Sequence, residues 1–248
     1  MLLVLLISFV GRCLGQEGKI QTERPDQTES TTLMPSGALQ LEAGYQFDRT
    51  SEAGYSIKTR AYPTALLRFG VLNWLEVRAE GALGDSVFEN GTKRKVTGMT
   101  PLSLELKFQL WREQGWQPRG AFVSQLVLPV GSRAFRPDHP EPEFRLVLSN
   151  ILTQRLEVAY NLAIGWADGE SEVGYSIVLT GTVHENLAVF GEVLGSKAND
   201  EKAEYLVNTG ANLWLGPNLQ LDLAAATGLS DAAPDFVFRT GFSIRMPH

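Results

Sequence analysis

Cysteine is almost absent. The 248 residues hold one, Cys13, inside the apolar opening MLLVLLISFVGRCLG. Once that opening is removed, disulfides, thiolate nucleophiles and cysteine-ligated zinc are all excluded. Histidine is scarce as well: His139, His184 and His248 are the only three. His139 lies in RPDHPEPE between Asp138 and Glu141, where a metal is conceivable, but a proline-stiffened loop with solvated charges explains the same residues. Long apolar runs are missing beyond the first ten residues, and the mean hydropathy is −0.08. That excludes a protein built from several apolar helical spans of roughly 20 residues each. No basic run exceeds Lys93-Arg94-Lys95, and a formal net charge of −6 argues against a nucleic-acid partner. No Walker loop, dinucleotide fingerprint, HExxH or GxSxG occurs. A barrel-borne hydrolase would need a Ser-His pair at the bilayer edge. We therefore expect no enzyme, no cofactor and no metal.

What is present begins with an address. Leu2–Val10 form a short apolar core, and Gly15 suits the position before a cut. Residues 1–15 read as a secretory signal peptide, too short to anchor, with Gln16 as the new N-terminus. No Lys or Arg precedes the core, which departs from the pattern. Cys13 leaves a lipoprotein alternative open, although Arg12 stands where a small residue belongs. Cleavage removes one arginine and no acid, so the formal charge moves from −6 to −7. A polar segment follows, residues 16–37, containing QTERPDQTES at 21–30. It is expected on the periplasmic side, either free or folded into a barrel mouth.

From residue 38 onward apolar and polar residues alternate. In PLSLELKFQL, Leu102, Leu104, Leu106, Phe108 and Leu110 oppose Ser103, Glu105, Lys107 and Gln109. In ALQLEAGYQF, Leu39, Leu41, Ala43, Tyr45 and Phe47 oppose Gln40, Glu42, Gly44 and Gln46. A period of two is the mark of a strand. About twelve such segments occur, near 38–47, 55–69, 73–83, 100–111, 119–130, 142–150, 155–167, 172–183, 186–195, 203–215, 218–229 and 235–246. Most match the ~9–11 residues of a tilted membrane-crossing strand. Pro63 and Pro129 mark a bulge or a strand end, since neither can donate a ladder hydrogen bond. Glu89–Thr92, ENGT, carries a turn signal.

A soluble sandwich also alternates, so two further features decide. The polar faces carry glycine beside charges of both signs: Glu42, Lys58, Arg60, Arg68, Glu76, Arg78, Glu105, Lys107, Arg145, Glu157, Asp222 and Arg239. Connections after odd segments are generally longer and more polar, while those after even segments are mostly tight, as in GVLN, HEN and GPN. Both fit an outer-membrane barrel. The expected fold is all-β: a transmembrane antiparallel up-and-down β-barrel of about 12 strands over 38–248. An even count puts both termini on the short-turn side. Trp74, Trp111, Trp116, Trp166 and Trp214 mostly fall near strand ends, as interfacial girdles would.

As a set, ERPDQTES, YPTALLRFGVLNWLEVR, TPLSLELKFQL, FRPDHPEPEFRL, YNLAIGW and NLQLDLAAATGL resemble the outer-membrane transporter family named for the meta-pathway of phenol degradation. The resemblance covers nearly all of the chain after residue 15 and lies in the linear order of the motifs. It implies a Gram-negative outer-membrane barrel that passes small molecules. It transfers no catalytic residue and no phenol substrate.

The function expected is passive uptake or export of small solutes, aromatic or organic-acid compounds among them. The partners are then outer-membrane lipid and a small-molecule solute, and the barrel acts as a monomer. A structural or adhesive barrel with a plugged lumen and functional outer loops is the competing reading. Arg60, Arg68 and Arg78 opposite Glu42, Glu76 and Glu105 are expected to shape the constriction. If the N-terminal segment enters the lumen, Arg24 is expected to pair with Glu42 or Glu76, and Asp26 and Glu29 with Arg68 or Arg78.

Overall fold

The computed structural model describes residues 18–52, 55–90 and 92–246. The expected signal peptide and Gln16 lie outside the described residues. Thirteen strands follow one another: β1 (Leu39–Glu52), β2 (Tyr55–Leu72), β3 (Leu75–Asn90), β4 (Thr92–Met99), β5 (Ser103–Trp111), β6 (Arg119–Val127), β7 (Glu141–Thr153), β8 (Leu156–Ala167), β9 (Glu170–His184), β10 (Leu187–Ala198), β11 (Glu204–Trp214), β12 (Leu219–Gly228) and β13 (Phe236–Met246).

Twelve of them close an antiparallel barrel. Each pairs with its neighbour in the chain, and β1 meets β13 from Leu39↔Met246 to Arg49↔Phe236. Closure leaves no free edge in the wall. The thirteenth, β4, pairs only with the outer half of β3, from Asn90↔Thr92 to Leu83↔Met99, while Leu75–Glu80 of β3 pair with β5. The sequence places residues 84–99 in an outer loop. They form a hairpin instead, with Asn90 paired to Thr92 at its end. The alternation there is masked because both faces of this extension are polar.

Side chains are sorted in the reverse of a water-soluble protein. Leu104, Leu106, Ile164, Ile177, Leu179 and Leu223 are exposed on the outer wall, whereas Gln40, Arg68, Glu76, Arg78 and Lys107 are buried inside. A continuous apolar exterior of this size belongs in lipid. An aromatic ladder crosses it diagonally, from Trp74 through Phe108, Phe122 and Phe144 to Trp166, with ring centroids 6.1–6.5 Å apart. Trp214 departs from the girdle expectation. It points inward, and its Nε1 donates to the Ile20 carbonyl at 3.2 Å.

One local irregularity re-aims a predicted lumen residue. Tyr62 and Pro63 of β2 lie between paired Ala61 and Thr64, opposite single unpaired positions on β1 and β3. Proline cannot donate to either neighbour, so the ladder breaks there. The extra residue reverses the facing of everything before it in β2. Arg60 therefore comes out on the outer wall, 5.9 Å from the Phe47 ring centroid, and pairs with Asp85 at 3.1 Å. Lys95 and the Tyr62 hydroxyl reach the same carboxylate at 3.3 and 2.7 Å. Lys58, also read as inward, pairs with Glu89 at 3.3 Å on that outer face.

Candidate functional site in the barrel lumen

The polar N-terminal segment runs inside the barrel as a loop that rises and returns. Gly18 starts at the short-turn end, where its carbonyl accepts from Arg245 at 3.0 Å. The chain rises past Gln40 and Glu42 of β1, reaches its apex near Pro25–Thr28, and descends past Ser149 and Arg119. Met34 N–H donates to Glu76 at 2.6 Å, and the Gly37 amide to the Gly70 carbonyl at 2.8 Å, just before β1 begins. The physical reason is composition. A segment with few apolar side chains cannot enter lipid, and its backbone groups need partners that a polar lumen supplies.

One wall of the lumen is an ionic lattice centred on Glu23. Its carboxylate takes Arg68 at 3.0 Å, Arg78 at 2.5 Å and Lys107 at 2.8 Å. Arg78 also reaches Glu29 at 2.7 Å, Glu76 at 2.6 Å and Glu105 at 3.3 Å. Arg68 joins Glu42 at 2.9 Å and Glu76 at 2.7 Å. Apart from Glu23 and Glu29 of the segment, these side chains come from β1, β2, β3 and β5, which lie next to one another in the wall. The Arg68, Arg78 and Lys107 side chains are at most 1% exposed, so each is tightly committed to its acids. Burial pushes the Glu29 carboxyl up, but Arg78, Lys107 and Arg145 outweigh it and hold the group well below the ordinary carboxylate range. The same contest, with Lys107, Arg78 and Arg68 as the cations, leaves Glu23 lowered.

The opposite wall holds the apex with hydrogen bonds. Glu192 of β10 accepts from the Gln27 amide at 3.0 Å, the Thr28 amide at 2.6 Å and the Thr28 hydroxyl at 2.6 Å. Asn208 donates to its other oxygen at 2.7 Å. Arg24 docks beside the closing seam, at 3.2 Å from Asp222 of β12 and 3.2 Å from the Thr64 hydroxyl.

Two cavities flank the apex of the segment. The outer one, about 410 Å³, is lined by Gln27 of the segment with Asn161, Ser176 and Arg239, among others. The inner one, about 260 Å³, is lined by Asp26 and Thr28 with Ala159, Val178 and Thr180, among others.

The predicted partners are redistributed. Arg68 and Arg78 do meet Glu42, Glu76 and Glu105, and Glu29 does meet Arg78. Arg24 meets Asp222 rather than Glu42 or Glu76. Asp26 enters no ion pair among the described residues. It faces the inner cavity near Glu192, and burial together with that neighbouring charge pushes its carboxyl well above the ordinary range. Arg60 is outside the lumen altogether. Sequence reasoning missed Glu23 as the hub and Glu192 as an anchor. The available signal was strand parity: Glu192 sits at an inward position of VFGEVLG.

A family model described as "Putative MetA-pathway of phenol degradation" matches residues 22–246. The chain belongs to this family. The match starts within the lumen segment, so the family pattern includes the segment as well as the barrel. Among solved structures, this family member is similar to the COG4313 outer membrane channel from Pseudomonas putida F1, with a TM-score of 0.66 and 14% identity over 87% of this chain and 98% of that one. The translocator domain of the autotransporter NalP from Neisseria meningitidis follows at 0.55 and 14%, covering 84% and 88%. The NanC porin stands at 0.54 and 10%, covering 83% and 98%. No curated sequence is significantly similar to the chain. These structural likenesses concern the fold. With the apolar exterior, they make this phenol-degradation family member an outer-membrane β-barrel.

Proposed function

We propose that the protein is a passive, monomeric outer-membrane channel for small solutes, not an enzyme, and that its N-terminal segment forms the constriction. One observation carries the reading. A folded-in segment crosses the lumen from the Glu23 lattice to Glu192, yet leaves cavities of about 410 and 260 Å³ on its two sides. A barrel of twelve strands is narrow enough for side chains to fill, so a segment anchored at both walls sets the free cross-section. In this reading Arg24, Asp26 and Glu29 act from the segment, while Glu42, Arg68, Glu76, Arg78 and Glu105 hold it in place. Fixed groups lining the remaining space then select by size and charge. The lattice also suits the competing role, a barrel plugged for structural purposes, because its charges are already paired with one another.

Single-channel recording in planar bilayers separates the two. The mature protein should show small, steady conductance. Deleting Gln21–Ser30 should raise it while the barrel remains heat-modifiable on a denaturing gel. Closed bilayers with the intact chain and open ones with the deletion would identify a plug.

A further inference from the structure

The two cavities share a wall. On β8 the outer cavity takes Asn161 and Ala163, and the inner one takes Glu157 and Ala159. On β9 the outer takes Gly174 and Ser176, and the inner takes Val178 and Thr180. Inward residues two apart on one strand are vertical neighbours. The cavities are therefore stacked along β8 and β9, above and below the level where Asn161 and Ser176 give way to Ala159 and Val178. At that level stand Thr28 and Glu29, and the Asn161 side-chain oxygen accepts from the Glu29 amide at 2.6 Å once its amide is oriented to suit its neighbours. The lattice lies on β1, β2, β3 and β5, where Lys107 and Glu76 are buried, and buried Ser103 of β5 lines neither cavity.

Resting on the channel reading, we infer that solute passes between the segment and the β8–β9 wall, and that this path favours neutral or cationic molecules with a small apolar body over anions. The charge balance supports the second half. Five carboxylates line the outer cavity against two arginines, and setting aside the Arg145–Glu143 pair leaves four carboxylates against Arg239. The inner cavity sets Glu157 against Arg155, with Asp26 held towards its neutral form, so it adds no net positive charge. A cleft lined with one sign of charge concentrates the opposite ion and repels its own. The apolar half comes from Ala159 and Val178, which join Phe190 and Ala224 in a buried cluster on this side of the lumen. The organic-acid solutes expected from sequence fit this path poorly.

Cysteine labelling tests the placement without background, because the only cysteine of the chain precedes residue 16. Ser176→Cys lies on the inferred path, and Ser103→Cys lies on the lattice side as control. Both changes are nearly isosteric, and heat-modifiability confirms assembly. In a bilayer, a cationic methanethiosulfonate should react with Ser176→Cys several-fold faster than an anionic one and reduce its conductance. Ser103→Cys should be inert. Under a potassium chloride gradient the reversal potential should indicate cation preference, weakened by Glu172→Gln with Glu204→Gln. Block through Ser103→Cys alone overturns the placement. Equal permeability to both ions, or anion preference, overturns the charge class while leaving the channel reading intact. No conductance in either the intact or the segment-deleted protein removes the channel reading, and this inference with it.

Discussion

Gly44 and Gly241 face each other across the seam where β1 closes on β13, and the guanidinium of Arg24 lies over both. A Cβ at Gly241 would stand 2.7 Å from Arg24 Nη2, and one at Gly44 would collide with the same atom. The absent side chains thus form the seat from which Arg24 reaches Asp222. Arg24→Ala should loosen the rising limb of the segment and raise conductance while leaving the wall intact. Gly241→Ala should do more, since its Cβ would also collide with the Ala43 carbonyl across the seam. Limited proteolysis of the segment, set beside heat-modifiability of the barrel, tells the two effects apart.

Arg78 is the costliest single side chain to remove from the lattice. It pairs with Glu23, Glu29, Glu76 and Glu105, and truncation would leave buried Glu105 without its cation and the other three acids with one fewer. Arg78→Met should destabilise the folded barrel by about 3–5 kcal/mol in urea unfolding from lipid vesicles. Arg78→Lys should restore only part of this, because one ammonium cannot span four acids as a guanidinium fork does. An unfolding midpoint unchanged by Arg78→Met would show the lattice to be dispensable.

Leu104 and Glu105 are consecutive residues on opposite faces of β5, the first 44% and the second 6% exposed. Leu104→Arg puts a charge into lipid and should cost roughly 2–4 kcal/mol if the position lies near the midplane. Glu105→Gln keeps the volume and one acceptor for Arg78, so assembly should be normal. The folded fraction recovered from membranes reads both. Equal recovery would mean the faces are assigned wrongly.

Strong acid and base should each weaken segment docking, through different carboxyls. Glu29 is held below its ordinary range when docked, so its contribution is present at neutral pH and is lost as pH falls through the depressed value. Asp26 is held above its range, so its contribution is present in acid and is lost as pH rises through the raised value. Conductance of the intact protein should therefore not rise under mild acidification, because Glu29 stays ionised there and protonation of Asp26 favours docking. Glu29→Gln should make docking weaker at neutral pH and less sensitive to strong acid. A pH profile identical in Glu29→Gln and the parent chain would refute the assignment.

Much of this protein is written in short-range pattern. Each of the twelve wall strands carries its own alternation, because a strand between lipid and a polar lumen must present two chemically different faces. β4 lies outside the closed wall and pairs only with β3, so no such constraint marked it. Pro63 announced an irregularity in β2, but its consequence for Arg60 needed the pairing partners on β1 and β3. The polar segment was visible as a stretch that lipid would reject, and its descent into the lumen followed from what the barrel offers.

The amino-acid sequence by itself determined the class of fold, the inward and outward faces of most strands, and the polarity that keeps the N-terminal segment out of the membrane. All of these rest on transfer preferences of single side chains over a period of two residues. Only the tertiary structure decided who meets whom: Glu23 between Arg68, Arg78 and Lys107, Arg24 on Asp222, and Thr28 on Glu192. Those pairs join residues up to 198 positions apart. Their encounter depends on strand order, closure and stagger around the ring, and a chemically suitable partner existed on nearly every wall. Geometry chose among them.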